Sequence, residues 1–201
     1  MFYEPRLGHG LPHDPFKAIV APRPIGWIST IDRDGRPNLA PYSFFNAIHS
    51  APPMLAFTSE SMKHSAANAI ATGEFVFNLS THALFDAMNI SSGDLALGEN
   101  EFDAAGLEMA ACAIVKAPRV AASPASLECK VTGSMQLRDI EGQLVQGWLI
   151  MGQVVGVHIA EDFLTNGRFD TAKAQPLARL GYRDYSVVTT LFEAARPSDR
   201  T

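Results

Sequence analysis

The feature that most limits how this chain can fold is a long hairpin in its second half. Leu127, Cys129, Val131, Gly133, Met135 and Leu137 alternate with Glu128, Lys130, Thr132, Ser134, Gln136 and Arg138. That period of two marks an antiparallel strand with one buried face and one polar face. Across Asp139-Ile140-Glu141-Gly142 its partner runs from Gln143 to about Ile159 and is apolar on both sides. Leu149, Met151, Val155 and Val157 lie on one face, and Trp148, Ile150 and Val154 on the other. One face can fill a barrel. The other then needs a helix, an excursion of the chain or a second copy to cover it, because monomers rarely expose large contiguous apolar patches.

Strand signals continue towards the N-terminus. Residues 25–31 and 38–48 read as two strands around Asp32-Arg33-Asp34-Gly35-Arg36-Pro37, whose Asp-Gly step supplies the positive φ of a hairpin turn. Residues 54–58 and 75–79 are short apolar strands. Between them Lys63-His64-Ser65-Ala66-Ala67-Asn68-Ala69-Ile70-Ala71 is an Ala-rich helix closed by Gly73. Ser80 or Thr81 caps a second short helix to about Asn89, and the acidic, Gly-spaced residues 91–106 read as a long loop. Residues 1–24, dotted with Pro5, Pro12, Pro15, Pro22 and Pro24, fit an extended arm. No repeat or linker divides the chain, so residues 1–201 are expected to form one domain. Its class is mainly β, an antiparallel barrel with short helical excursions.

Composition excludes several functions. With 16 Lys and Arg against 21 Asp and Glu, and no two cations adjacent, the chain lacks the basic footprint of a nucleic-acid binder. It has no export signal at its start and no uninterrupted apolar run of about 18 residues, so a membrane span is not expected. Two cysteines, Cys112 and Cys129, make no disulfide framework, and a reducing cytoplasm is the expected location. The dinucleotide fingerprint, P-loop, nucleophile elbow and zinc-protease motifs are all missing. His49, His82 and His158 have no Cys or carboxylate at ligand spacing, and Gly10 and Pro12 separate His9 from His13. No metal site is therefore expected. Cys129 lies on the apolar face of its strand, which favours burial over reactivity; Cys112 is undecided. Any catalysis falls to a bound cofactor, which the protein positions.

Two segments could hold one. Thr58-Ser59-Glu60-Ser61-Met62-Lys63-His64-Ser65 leaves a strand and enters a helix, bringing unpaired N–H groups, hydroxyls and an ammonium to a point that suits phosphate. The same residues also read as an ordinary capped helix with a surface Lys. In Ala40-Pro41-Tyr42-Ser43-Phe44-Phe45-Asn46-Ala47-Ile48, Ser43 and Asn46 stand among aromatics, a mixture that suits a flat heteroaromatic ring. Core packing of Phe44 and Phe45 is the alternative.

Taken in order, several motifs resemble the flavin reductase-like family over about residues 13–188. They are Arg23-Pro24-Ile25-Gly26-Trp27-Ile28-Ser29-Thr30, Asn38-Leu39-Ala40-Pro41-Tyr42-Ser43-Phe44-Phe45-Asn46, Pro52-Pro53-Met54, Lys63-His64-Ser65 with Asn68, Phe75-Val76-Phe77-Asn78-Leu79, Leu127-Glu128-Cys129 and Arg179-Leu180-Gly181-Tyr182. The resemblance implies an FMN-binding split barrel, usually a homodimer with FMN near the interface. It implies NAD(P)H:flavin oxidoreductase activity, with hydride passing from NADH or NADPH to the flavin and electrons then to a second acceptor such as a partner monooxygenase. The rival it leaves open is a flavoredoxin-like carrier without nicotinamide turnover. By the same resemblance Ser43, Phe44, Phe45, Asn46 and Ala47 hold the ring and ribityl chain, although a Thr-Ser pair is common where this chain has Asn46-Ala47. Lys63, His64 and Ser65 hold the phosphate, with Thr58 and Ser59 beside it and Arg23 and Trp27 near the pocket.

Overall fold

The computed structural model describes residues 1–93, 95 and 99–196. Seven strands make one antiparallel sheet: β1 (Gly26–Ile31), β2 (Pro37–Tyr42), β3 (Phe45–Ser50), β4 (Pro53–Ser59), β5 (Glu74–Leu79), β6 (Ala125–Arg138) and β7 (Leu144–Ile159). Their spatial order is β2-β1-β5-β6-β7-β4-β3. Strands β2 and β3 follow each other in the chain yet form opposite edges of the sheet, joined only by Ser43 and Phe44. Three residue steps reach at most about 11 Å, whereas a flat sheet of seven strands is about 29 Å across. The sheet must curl until its edges meet. At the seam the Thr58 N–H donates to the Phe44 carbonyl at 2.7 Å.

The single strand expected over 38–48 is therefore two. Tyr42 pairs with Gly26, and Phe45 pairs with Phe57 on the other edge. Gly26 permits the crossing: a Cβ there would lie 2.4 Å from the Phe45 ring. That ring enters the barrel and stacks on Phe77, with centroids 4.9 Å apart and planes 7° from parallel.

Ile28, Phe57, Phe75, Cys129 and Ile150 fill the interior. Helix α1 (His64–Thr72) lays Ala66 and Ala69 against them and ends at Gly73 with φ 74, as its sequence requires. The two-faced strand β7 divides as expected, with Ile150 and Val154 inside and Trp148 packed against that core. Alternation turns Ile25, Trp27 and Leu39 outwards, where α2 (Phe85–Ile90) covers them with Met88 and α3 (Glu101–Ala104) with Phe102. The 91–106 loop is thus helical at 101–104, with the Asn100 side chain capping Asp103 N–H; positions 94 and 96–98 of that loop lie outside the described residues. Residues 1–24 form a largely exposed arm with short helical turns at Pro5–Leu7 and Phe16–Ile19.

The polar face of β6 is not all solvated. Glu128 is fully buried, because residues 105–124 fold over the outside of β5, β6 and β7. Its carboxylate accepts from Ala113, Ile114 and Val115 N–H at 2.7–2.8 Å and contacts His158 Nε2 at 2.6 Å. Glu74, on the neighbouring strand, accepts from Lys116 and Ala117 N–H and pairs with Lys130. Five consecutive main-chain donors are thus held by two buried carboxylates. Burial alone would raise the Glu128 carboxyl, but the Ala113 and Val115 N–H groups, the His158 ring and the Ile114 N–H outweigh it and hold it at about 2.

Because the folded-state value lies below the ordinary carboxyl value of 4.5, Glu128 stabilises the fold fully above that pH, and the contribution is lost as pH falls towards 2. Glu128→Gln turns an amide towards main-chain donors and is expected to cost about 2–3 kcal/mol at neutral pH. Urea unfolding at pH 7 and pH 3 checks this: the gap between wild type and variant should shrink at pH 3, and a constant gap would contradict it.

Candidate functional site

Helix α1 begins unusually. Its N-cap is Lys63, which makes no side-chain cap, and its first turn holds no acidic residue. Among the described residues, nothing accepts a hydrogen bond from the His64, Ser65 or Ala66 N–H; the first satisfied donor is Ala67, bonded to the Lys63 carbonyl. A cation in the cap position works against the helix dipole, and Ser, Thr, Asp or Asn would cap better. Charge and open donors together suit an anion. Glu60, the nearest acid before the helix, turns away to Lys17 at 3.3 Å.

Lys63, His64 and Ser65 line a cleft of about 540 Å³ with Asn38, Tyr42 and Glu101. The Glu101 carboxylate is engaged by the Leu39 N–H at 3.0 Å. The Ser65 hydroxyl, expected at a phosphate, is turned inwards: the residue is 1% exposed and accepts from Asn38 Nδ2 at 2.8 Å. Its hydroxyl and that of Ser59 flank the buried Tyr42 phenol, which burial holds above its ordinary value against the pull of those two hydroxyls. Ser65 therefore has only its main-chain N–H to offer an anion, and Ser59, fully buried, faces Tyr42.

Ser43, Phe44, Phe45, Asn46 and Thr58 line a second cleft of about 660 Å³ on the other side of the seam, with Leu149 and the arm residues Ile19, Val20 and Pro22. Lys17 stands over the Phe44 ring, 5.3 Å from its centroid. Arg23 also lines this cleft, but its guanidinium is committed. It donates to the carbonyls of Lys17 and Val20, and to that of Leu180 at 2.8 Å, pinning the arm to the chain's last third. Ala47 sits exposed on β3 and lines neither cleft.

Trp27 is the clear misplacement. It is completely buried on the outer face of β1, and its Nε1 donates to Ser91 Oγ at 2.9 Å. The motif is family-like, but strand alternation turns this side chain away from the barrel and both clefts. His158, which has no Cys or carboxylate at ligand spacing in the sequence, is brought to Glu128, thirty residues away, by the register of β6 and β7. Neither thiol is activated by its surroundings. Burial, then the Glu128 charge, pushes Cys112 up to about 11 and Cys129 up to about 12. Residues missed from sequence include Tyr42, Leu149 and the arm positions. Only the doubly apolar pattern of β7 could have signalled one of them.

A barrel split along a seam, with clefts on both sides of it and an uncapped cationic helix at one of them, defines the split-barrel class. The flavin reductase like domain model matches residues 20–179, and the chain belongs to that family. It is 34% identical over 173 residues to an uncharacterized protein of Aquifex aeolicus, covering 83% of this chain and 85% of that one. Nitrilotriacetate monooxygenase component B from Bacillus cereus superposes with a TM-score of 0.86 at 26% identity, covering 96% and 98% of the two chains. Flavoredoxin of Desulfovibrio vulgaris shares the fold, with a TM-score of 0.77 at 22% identity over 89% and 93%. Among the described residues no helix is long and apolar enough to cross a membrane.

The cost of the uncapped helix is measurable. Lys63→Asp supplies the missing cap and reverses the unfavourable charge, so the ligand-free variant should be more stable by about 0.5–1 kcal/mol in urea unfolding. An unchanged or lower midpoint would show that the helix start is not destabilised.

Proposed function

We propose that this chain binds FMN and works as an NAD(P)H-dependent flavin oxidoreductase. The observation that carries the reading is the start of α1, where, among the described residues, the Lys63 ammonium and the N–H groups of His64, Ser65 and Ala66 have no hydrogen-bond partner. Those groups fit a phosphate dianion: each hydrogen bond to a charged group is worth about 1.5–3 kcal/mol, and the helix end adds up to about 2. Ser43, Asn46 and Thr58, set among Phe44, Phe45 and Leu149, fit the polar edges and apolar faces of a fused ring. The family assignment and the likeness to a monooxygenase component support the same reading.

Bound FMN would supply the chemistry, taking two electrons as hydride from NADH or NADPH and passing them to free flavin or a partner oxygenase. The chain's own residues align and shield. Lys63 and the α1 donors fix the anionic end, which lets a rigid seam set the position of the ring end. Phe44 and Leu149 give the second cleft apolar surface against which a ring can pack, and the arm residues Ile19, Val20 and Pro22 line it as well. No side-chain acid or base is required.

A homodimer completes the proposal. Met135, Leu144 and Val145, near the tip of the β6–β7 hairpin, are 49%, 54% and 40% exposed, and Ile48 on the edge strand is 47% exposed. These apolar surfaces suit a second copy. Light scattering of the purified chain should give twice the 21.7 kDa chain mass; a monomer would contradict it.

The visible spectrum after FMN is added should show bound flavin, and anaerobic NADH or NADPH should bleach it. Bound flavin that stays oxidised with both nucleotides yet is reduced by a protein donor would replace the reductase reading with a carrier. Lys63→Ala should weaken FMN binding by at least about tenfold, one charge-assisted hydrogen bond. Unchanged affinity would place the phosphate elsewhere.

A further inference from the structure

Outside both clefts, three different metal-ligating side chains converge. Cys112 Sγ, a Glu128 carboxylate oxygen and a His158 ring nitrogen all lie within 4.8 Å of one another. They come from three separate elements: the 105–124 excursion, β6 and β7. Each is held where it is by main-chain geometry. Cys112 precedes Ala113, whose N–H binds Glu128 at 2.8 Å. A register shift after Val154 sets Gly156 opposite Glu128 and His158 opposite Ser126. Gly156 is the residue that leaves room, since a Cβ there would come 3.0 Å from the carboxylate.

We propose that Cys112, Glu128 and His158 form a three-ligand site for a divalent borderline cation, with Zn2+ the best match to one sulfur, one nitrogen and one oxygen. Zn2+ takes these donors at about 2.0–2.3 Å in a tetrahedron, which sets donor atoms roughly 3.3–3.8 Å apart; the His158–Glu128 contact widens from 2.6 Å to reach that arrangement, and the three donors, all within 4.8 Å of one another, draw to that spacing. The three main-chain N–H groups on Glu128 are the outer hydrogen bonds that orient a ligating carboxylate. At present His158 Nε2 occupies one Glu128 oxygen at 2.6 Å. On binding, that contact opens, both groups turn their lone pairs to the metal, and the Cys112 thiol gives up its proton to solvent. Ionised thiolate plus carboxylate then balance the two positive charges. Cys112 and His158 are each partly exposed, so the cation has a path in and a fourth position is left for water. None of the three lines either cleft, and the inference is independent of the flavin reading.

The test is calorimetric titration of ZnCl2 into the full chain, first stripped with a chelator and dialysed. One Zn2+ per chain is expected. Cys112→Ala and His158→Ala should each weaken it at least about 100-fold, the upper end of what losing even an outer partner costs; Cys112→Ala should retain the metal-free melting temperature, whereas His158→Ala also removes a contact to the buried Glu128 carboxylate and should lower it. No binding, or binding unchanged in both variants, would overturn the proposal. X-ray absorption of the zinc-loaded wild type decides the matter if a variant fails to fold. With Cys129 sealed inside the barrel, a sulfur shell at about 2.3 Å assigns Cys112, and a shell of nitrogen and oxygen alone rejects the site.

Discussion

Everything in this fold depends on the two residues that join the sheet's opposite edges. Ser43 and Phe44 cannot reach across an open seven-stranded sheet, so the sheet closes on itself and the closure leaves a seam. Both clefts open beside the seam. Tyr42, the last residue before the crossing, lines the cleft at the start of α1, and Ser43, the first residue of the crossing, lines the other. One covalent constraint thus sets the barrel's curvature and fixes the two clefts relative to each other. The Gly26–Phe45 contact makes the crossing sterically possible, and Phe45 stacking on Phe77 gives it an apolar anchor.

The outer layer is built on a different principle. Residues 113–117 carry consecutive main-chain donors that no strand could satisfy, and Glu74 and Glu128 receive all five. Burying two carboxylates is unfavourable in isolation, but here each accepts two or three N–H hydrogen bonds, and Glu128 also contacts His158 while Glu74 pairs with Lys130. The arrangement covers the outward face of β5 and β6 with chain that has little secondary structure of its own. It also explains why a position that alternates with apolar residues can be the most deeply buried acid among the described residues.

How much of this was legible in the sequence follows from the range of the interactions involved. The β6–β7 hairpin, the Asp-Gly turn and the Gly73-terminated helix depend on local periodicity and backbone preference, and all three stand where the pattern put them. The break at Ser43–Phe44 was invisible because residues on both sides of it have strand character; only the edge partners Gly26 and Phe57 reveal two strands. Glu128, His158 and the placement of Trp27 failed for the same reason, since each depends on what covers the outside of the sheet. At the site, Lys63 and the helix start were readable as local chemistry. The inward turn of Ser65 depends on Asn38, 27 positions away, and no spacing rule contains that.

An uncapped helix start with a Lys at the cap forgoes stability that a Ser, Thr, Asp or Asn would supply, and the proposed phosphate site gives it a use, in keeping with the usual conflict between function and stability. A crystal structure of the chain with FMN tests this most directly. The account predicts the phosphate against Lys63 Nζ and the main-chain N–H groups of His64, Ser65 and Ala66, with the ring in the cleft of Ser43, Asn46 and Thr58. A phosphate bound away from α1, or a ring outside that cleft, would contradict it.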